Sequence, residues 1–382
     1  MEISRILDRY PSIPYLREKA RRRVPHFAWE YLDSGTGLEK AVSRNRDRLD
    51  QVCLTPRFTR GYAAPELKTS LFGRDYAAPF GMAPVGATGM MWPGGEQVLA
   101  RAAREHGLAY CLSTVACETP ETIGPIAGPN GWFQLYPFDD AEAETDLIDR
   151  AERAGFEVLV VTVDVPVSST RERQRRAGLS RDKGGLSRLA QVLARPEWAL
   201  ATARHGAPRF KTIEPYLAKE QGVALSEYVA KRIGRIDHDH LASIRERWKG
   251  PLVVKGILAQ EDAEDCIKLG MDGIVVSNHG ARQFDAAPAS IDALARVAPA
   301  VRGKITVLFD SGVESGLDIV RALALGADFV LSGRSFIVGI AALGEAGGDV
   351  VAHMLKTDLE NNMIQLGCSR PGELASCLPQ RA

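Results

Sequence analysis

The sequence predicts an α/β fold: a (β/α)8 barrel with an N-terminal helical preface and a long insertion after its fourth strand. Two observations support this prediction. Short apolar runs rich in β-branched residues alternate with helical segments, and eight such runs follow one another along the chain. Each run ends abruptly in polar or glycine residues, as barrel strands do where they carry an active site. A doubly wound open sheet is the alternative, but that fold would not need eight units.

The first 75 residues are predicted to be a helical and irregular preface, in which Pro25–Leu32 has helical apolar spacing and stops at Gly35. The barrel strands then follow in order. They are predicted at Phe80–Pro84, Ala109–Thr114, Trp132–Tyr136, Val158–Val165, Pro251–Gly256, Gly273–Ser277, Ile305–Asp310 and Phe329–Gly333. Helices are predicted between them at Glu96–His106, Ala141–Ala154, Gln260–Leu269, Ser290–Val297 and Gly316–Leu325.

One connection breaks this rhythm, because about eighty residues separate Val165 from Pro251, far more than an ordinary loop. We therefore expect a single domain over 1–382 in which 176–240 is an insertion or lid. Within it, Leu186–Ala203 mixes leucines and Trp198 with arginines. That mixture fits a helix lying in a membrane interface or a lid helix that packs its apolar side on the barrel.

Composition excludes several classes of protein. Lys+Arg 48 balances Asp+Glu 48, so no nucleic-acid partner is expected. The six cysteines form no C-x-x-C motif and are interpreted as reduced thiols of a cytosolic protein. His238-Asp239-His240 has no neighbours that complete a ligand set, so no metal site is predicted. The charged N-terminus excludes a signal peptide, and no stretch approaches the roughly 18 apolar residues that are needed to span a bilayer.

The segment Ser277–Gln283 directly follows the apolar run of the sixth strand. It puts His279 and Arg282 on a loop at a strand's carboxyl end. A histidine can accept a proton near neutral pH, and an arginine can bind a carboxylate through two parallel hydrogen bonds. The pattern therefore indicates a base beside an anion-binding group.

The other strand ends carry donors, acceptors and one lysine, Lys255. Such a ring of polar groups suits a flat heteroaromatic cofactor. Glycines after strands seven and eight suit a phosphate, because backbone N–H groups can approach it there. No G-x-G-x-x-G motif opens a βαβ unit, so FMN fits the sequence better than a dinucleotide.

With these motifs in place, the sequence resembles the FMN-dependent 2-hydroxy acid dehydrogenase and oxidase family, which includes L-lactate dehydrogenase, mandelate dehydrogenase and glycolate oxidase. The resemblance covers nearly the whole chain. It is carried by Ala83–Gly86, Trp132–Tyr136, Thr162–Asp164, Val254–Gly256, Ser277–Gln283 and Gly333-Arg334.

The resemblance implies that the enzyme oxidises an (S)-2-hydroxy acid to the 2-oxo acid. His279 would take a proton from the substrate, and Asp164 would hold its imidazole. The implied catalytic set also includes the substrate-binding residues Tyr31, Tyr136 and Arg282, and Arg171 would be a second cation for the substrate carboxylate. The residues implied to bind FMN are Pro84, Val85, Gly86, Ser113, Gln134, Thr162, Lys255, Ser277, Asp310, Ser311, Gly312, Gly333 and Arg334.

Three positions depart from relatives or vary among them. Glu314 stands where relatives have an arginine near the FMN phosphate, which predicts either weaker FMN retention or a Glu314 side chain turned to solvent with Arg334 compensating. Val115 replaces the tryptophan of glycolate oxidase, so the pocket would admit lactate or an aryl hydroxy acid such as mandelate. Gly86 is glycine in several dehydrogenases of the family and alanine in several oxidases.

Gly86 therefore favours a quinone or other acceptor over oxygen, and the 176–240 segment would supply the membrane contact. The expected location is the cytoplasm, with peripheral attachment to the inner face of the membrane as one reading, and the family resemblance suggests a homotetramer. Alternatives are an oxidase that uses oxygen and a flavin-binding protein with impaired turnover. An FMN-barrel isomerase or an enzyme like IMP dehydrogenase would not explain His279 with Arg282.

Overall fold

The computed structural model describes residues 2–60, 64–179, 185–217, 228, 232 and 234–379. The chain begins with four helices: α1 (Glu2–Arg9), α2 (Ile13–Arg23), α3 (His26–Asp33) and α4 (Lys40–Asp50). Helix α2 buries Ile13, Leu16 and Ala20, which lie on one face at helical spacing. The predicted helical preface is confirmed, and Tyr31 lies in the last turn of α3.

A short hairpin that the sequence did not reveal follows the preface. Strands β1 (Thr69–Leu71) and β2 (Arg74–Tyr76) pair antiparallel. The Tyr76 hydroxyl accepts a hydrogen bond from Trp132 Nε1 at 2.9 Å, and the Tyr76 ring packs edge-on against Trp132 and Phe329. The hairpin thus packs on the aromatic residues of the barrel interior. Three-residue strands carry too little alternation to be recognised in a sequence.

Eight parallel strands close into the barrel, and all eight were predicted. They are β3 (Phe80–Met82), β4 (Ala109–Ser113), β5 (Gly131–Leu135), β6 (Val158–Thr162), β7 (Leu252–Ile257), β8 (Gly273–Val276), β9 (Thr306–Phe309) and β10 (Phe329–Ser332). Their order is the chain order, and β10 pairs with β3 to close the ring. The (β/α)8 prediction is therefore confirmed. Since all strands run the same way, their carboxyl ends meet at one rim.

Helices surround the barrel and bury their apolar faces on it. They are Thr88–Met91, Gly95–Glu105, Pro120–Ala127, Ala141–Arg153, His238–Arg247, Gln260–Lys268, Ser290–Val301, Gly316–Ala324, Arg334–Leu343 and Gly347–Leu366. In the part of the chain that the structure describes, one helical stretch, Arg334–Leu366, has the length and apolar composition of a membrane span, contrary to the sequence expectation. Its most apolar window is 78% buried inside the protein, as in a core helix.

Between β6 and residue 217, the described residues form four helices: Glu172–Arg176, Gly185–Leu193, Pro196–His205 and Glu214–Leu217. Trp198 is buried, and its Nε1 donates to the Met90 carbonyl at 3.1 Å. By contrast, four leucines point to solvent. We call Leu186, Leu189, Leu193 and Leu200 the leucine face; they are 86%, 54%, 69% and 53% exposed. Residues 180–184 and most of 218–233 of the predicted insertion lie outside the described residues.

Candidate active site

A cavity of about 630 Å³ opens at the rim formed by the strands' carboxyl ends. Most of the predicted site residues line it: Tyr31, Pro84, Val85, Gly86, Gln134, Tyr136, Thr162, Arg171, Lys255, His279, Arg282, Asp310, Ser311, Gly312, Gly333 and Arg334. Ser113, Asp164 and Ser277 are not among the lining residues; each lies behind one of them. The structure therefore brings together side chains that are up to three hundred positions apart in the sequence.

His279 lies on the turn that follows β8. It and the next two residues, Gly280 and Ala281, all have left-handed backbone conformations, with φ of 57°, 61° and 64°. This strained conformation is uncommon for a histidine and occurs most often where function requires it. The His279 backbone N–H donates to Ser277 Oγ at 3.0 Å, and the Gly280 N–H donates to Ser311 Oγ at 3.0 Å. Two serines thus hold the turn.

His279 Nδ1 lies 2.8 Å from Asp164 Oδ1, and both side chains are largely buried. A bulge in β7 allows Asp164 to come this close. Gly256 has φ of 109° there, and a Cβ atom at Gly256 would lie 2.5 Å from the Cβ of Asp164. Only glycine fits both the conformation and the space. With Nδ1–H donating to Asp164, Nε2 is left as the proton acceptor that faces the cavity.

The protonation of this pair follows from its surroundings. Burial lowers the pKa of His279, and the positive charges of Lys255 and Arg171 act in the same direction, while Asp164 opposes them. His279 is therefore neutral at neutral pH and can accept a proton. Burial raises the pKa of Asp164, but His279 and Lys255 outweigh that effect and lower it below its ordinary value. Asp164 therefore remains ionised.

Tyr136 and Arg282 flank the imidazole. The Tyr136 hydroxyl is 3.5 Å from His279 Nε2, and burial, followed by the charge of Asp164, raises the pKa of Tyr136 to about 12. Arg282 donates to the Tyr31 carbonyl at 2.7 Å, and its guanidinium lies 5.0 Å from the centroid of the Tyr31 ring. Burial and the charge of Arg171 lower the pKa of Arg282 to about 9, so Arg282 is still a cation at neutral pH.

Arg171 is the second cation at this end of the cavity. Its backbone is left-handed, with φ of 41°. Its Nε donates to Ser169 Oγ at 2.9 Å and its Nη2 to Gln283 Oε1 at 3.0 Å. Ser169 and Gln283 therefore orient the guanidinium. No role was predicted for these two residues, because neither belongs to a motif apart from its position near Arg171 or Arg282.

Lys255 lies deeper in the barrel, at the end of β7. Its Nζ donates to Ser277 Oγ at 2.9 Å and pairs with Asp310 Oδ2 at 3.0 Å. Burial lowers the pKa of this lysine, but the charges of Asp310 and Asp164 outweigh burial and raise it. The cavity floor therefore carries a permanent positive charge, held in place by Ser277 from behind.

Two buried polar atoms in the cavity wall fit a flavin. Gln134 Nε2 and Thr162 Oγ1 have no hydrogen-bond partner among the residues that the structure describes. Leaving such a group unpaired costs about 1–3 kcal/mol, so a ligand with polar edges is expected to satisfy both. Ser113 Oγ donates to Gln134 Oε1 at 2.9 Å and fixes the amide with its N–H groups free. Together with the Lys255 cation, these groups suit the polar edge of an isoalloxazine ring.

The opposite end of the cavity is formed by the turns after β9 and β10. Ser311 and Gly312 both have φ of 87°, so this turn is left-handed, and Gly333 precedes the helix that begins at Arg334. Backbone N–H groups at such a helix start suit a phosphate. Arg334 instead uses its guanidinium to donate to the Leu32 and Ser34 carbonyls, at 3.1 Å each.

The side chain of Glu314 is not turned to solvent, which was one of the two alternatives predicted from the sequence. Its side chain is only 25% exposed and pairs with Arg17 of α2. The sequence could not reveal this pair, because the two residues are 297 positions apart. Arg334 makes its guanidinium hydrogen bonds to backbone carbonyls, and Glu314 is one of the acids whose charge acts on it.

The sequence also missed the apolar wall of the cavity. Met90, Val167, Leu179 and Phe210 line it beside Val115. Apolar residues in loops and insertions carry no motif, so no pattern distinguishes them from core residues. They give an apolar surface to the same cavity that Arg171 and Arg282 line.

Comparisons with known proteins show similarity over nearly the whole chain. A family model described as FMN-dependent dehydrogenase matches residues 20–380. The chain is 41% identical over 346 residues to an L-lactate dehydrogenase of Chromohalobacter salexigens, covering 89% of this chain and 87% of that protein. It is 38% identical over 365 residues to an L-lactate dehydrogenase of Pectobacterium atrosepticum, covering 94% of each.

Solved structures of two relatives resemble this one. A mandelate oxidase superposes with a TM-score of 0.81 at 34% identity, covering 95% of this chain and 96% of that chain. A protein described as the monotopic membrane protein (S)-mandelate dehydrogenase superposes with a TM-score of 0.87 at 31% identity, covering 97% of this chain and 99% of that chain.

Proposed function

Because the chain belongs to the FMN-dependent dehydrogenase family and uses FMN, we propose that it oxidises an (S)-2-hydroxy acid of the lactate or mandelate type to the 2-oxo acid. One observation carries the proposal: His279, oriented by Asp164 at 2.8 Å, faces the same cavity as the cations Arg171 and Arg282. A proton acceptor beside a carboxylate-binding pair is what this substrate class requires.

In the proposed reaction, the substrate carboxylate binds Arg282 and Arg171, with Tyr31 beside it. His279 Nε2 takes a proton from the substrate, and the ionised Asp164 stabilises the imidazolium that forms. The Tyr136 hydroxyl keeps its proton and donates to the substrate's hydroxyl or carboxylate oxygen. FMN, when bound, would accept the two electrons and the second hydrogen that leave the substrate.

We assign the FMN contacts as follows. Gln134 and Thr162 bind the ring edge, with Ser113 acting through Gln134. Lys255, held by Ser277, would lie against the polar edge of the ring, where its charge would favour the reduced form. The backbone from Pro84 through Val85 to Gly86 would also contact the ring. Asp310 takes ribityl hydroxyls, and the phosphate lies between the turns that contain Ser311 and Gly312 and those that contain Gly333 and Arg334.

Anaerobic addition of substrate tests the proposal. The purified yellow protein is mixed with L-lactate and with (S)-mandelate, and bleaching of the flavin absorbance is followed. At least one of the two acids is expected to bleach the wild type. His279→Gln should retain the flavin, but the rate of bleaching should fall about 10⁴-fold or more, because the group that takes the proton is gone. Equal bleaching of both proteins would overturn the assignment of His279.

The electron acceptor is proposed to be a quinone or another non-oxygen acceptor, reached at a membrane surface. The leucine face supports this, because four exposed leucines on two successive helices would be better placed in an apolar surface than in water. A cleft of about 340 Å³ between α2 and the insertion is lined by Lys19, Arg22 and Arg195, which would meet anionic lipid, and by Arg23, which pairs with Glu197. The similar mandelate dehydrogenase is described as a monotopic membrane protein.

We also propose how the whole chain is organised. Residues 1–382 would act as one FMN-binding unit, with 176–240 both closing the cavity and meeting the membrane from the cytoplasmic side. The apolar residues Leu179 and Phe210 line the cavity and support the first role. The homotetramer stays a prediction.

A further inference from the structure

Glu314 is an acid at the end of the cavity assigned to the FMN phosphate. It lines that end together with Ser311, Gly312 and Gly333. A carboxylate in such a place repels a phosphate dianion, more strongly where burial reduces screening by solvent. The structure therefore raises the question of what offsets the charge of Glu314.

Arg17 of α2 supplies the offsetting charge. Its Nη2 donates to Glu314 Oε1, and its Nη1 donates to Asp33 Oδ1 at 2.7 Å. Arg17 and Glu314 are only 26% and 25% exposed, so solvent screens this pair less than a surface ion pair. A charge from the N-terminal preface thus reaches the turn after β9.

The other cations near this turn are already engaged. Arg46 donates to the Gly312 carbonyl and to Asp318 Oδ2, both at 2.7 Å. Arg334 donates to the Leu32 and Ser34 carbonyls. The charge of Glu314 acts on both of these guanidinium groups, but Arg17 is the one that donates a hydrogen bond directly to its carboxylate. Removing Arg17 would therefore take away the guanidinium that holds Glu314, which lines the cavity.

We propose that Arg17 is a cofactor-positioning residue: it neutralises Glu314, so that this end of the cavity accepts the FMN phosphate. The inference rests on the phosphate placement proposed above. It makes helix α2 part of the FMN site, although Arg17 itself does not line the cavity. It also explains how the chain keeps FMN with an acid at position 314.

Flavin binding to the apoprotein tests the inference without any turnover. Dissociation constants are measured by quenching of flavin fluorescence for FMN and for riboflavin, which has the same ring and ribityl chain but no phosphate. Arg17→Met is expected to weaken the binding of FMN about tenfold and to leave the binding of riboflavin unchanged. Arg21→Met, which changes an exposed arginine of the same helix, is the matched control and should leave both constants unchanged.

A second substitution separates the charge effect from damage to the fold. Glu314→Gln in the Arg17→Met background should restore FMN affinity to about the wild-type value, because the acid that Arg17 neutralises is gone. If Arg17→Met weakens FMN and riboflavin equally, or if the double variant binds FMN as weakly as Arg17→Met alone, the inference is wrong.

Arg334→Met distinguishes this failure from a failure of the phosphate placement. If the placement is correct, Arg334→Met lowers the preference for FMN over riboflavin. A lowered preference in Arg334→Met with an unchanged one in Arg17→Met overturns only the role of Arg17. An unchanged preference in both variants overturns the placement and the role together.

Discussion

The barrel rim and the insertion treat their side chains in opposite ways. At the rim, the ionisable groups are buried and paired: His279 with Asp164 at 2.8 Å, and Lys255 with Asp310 at 3.0 Å. In the insertion, the leucine face leaves apolar side chains in solvent, and Leu186 is 86% exposed. Each arrangement is costly in water alone.

This difference indicates which kind of partner each region is suited to bind. Rim atoms such as Gln134 Nε2 and Thr162 Oγ1 have no hydrogen-bond partner among the described residues, and the polar edge of a small cofactor would supply one. We propose that a bilayer covers the leucine face, because it offers a larger apolar surface than any small cofactor. Changes at the rim should therefore alter chemistry, and changes on the leucine face should alter attachment. The predictions that follow test this division from its largest effect to its smallest.

Asp164→Asn should have the largest effect. The amide keeps the shape but no longer stabilises an imidazolium and can reverse the tautomer of His279. The rate of flavin reduction by the substrate should fall about 10²–10⁴-fold, measured anaerobically in a stopped-flow instrument. FMN affinity should stay close to wild type, because Asp164 lies behind His279 and does not line the cavity. A variant that reduces its flavin at the wild-type rate would remove Asp164 from the mechanism.

The pH profile should show a smaller effect with a definite sign. Burial lowers the pKa of His279 from 6.5, so its neutral, proton-accepting form persists below that pH. The acid limb of kcat/KM should therefore have its midpoint below 6.5. Asp164 raises the pKa of His279, while Lys255 and Arg171 lower it, so Asp164→Asn should move the limb to still lower pH. An acid limb above 6.5 in the wild type would contradict the buried, neutral base.

The same contrast explains what the sequence could and could not predict. Rim residues such as His279 and Lys255 lie at or just beyond the carboxyl ends of strands, and barrel closure then brings their side chains together. The strands were predictable because buried parallel strands are short, apolar and bounded by polar residues. Arg17 with Glu314 was not predictable, because nothing local relates a helix in the preface to a turn after β9.

The orientation of the insertion was unpredictable for another reason. Its sequence fitted both a lid packed on the barrel and a helix at a membrane, and only the surroundings distinguish them. In the structure, Trp198 packs inward, with its ring 6.0 Å from that of Phe27, while the leucines of the same segment point outward. The helices of this segment are thus attached to the protein through Trp198, while their leucines remain in solvent.

Replacing the leucine face should have the smallest effect on chemistry. Changing Leu186, Leu189, Leu193 and Leu200 together to serine removes side chains that are at least half exposed, so little core packing is lost. Turnover with a soluble dye acceptor should remain within about twofold of wild type. Sedimentation with vesicles of anionic phospholipid should weaken about 100-fold or more, because each leucine contributes roughly 1 kcal/mol or more when buried in the acyl boundary.

Leu38→Ser is the matched control, since Leu38 is 82% exposed but belongs to the loop between α3 and α4. It should change neither turnover nor sedimentation. Undiminished sedimentation of the quadruple variant would assign attachment to the cationic cleft around Arg22 and Arg195 alone, and raising the salt concentration would then release the wild type. Loss of dye turnover together with sedimentation would show that the insertion supports the rim, which would break the division between chemistry and attachment.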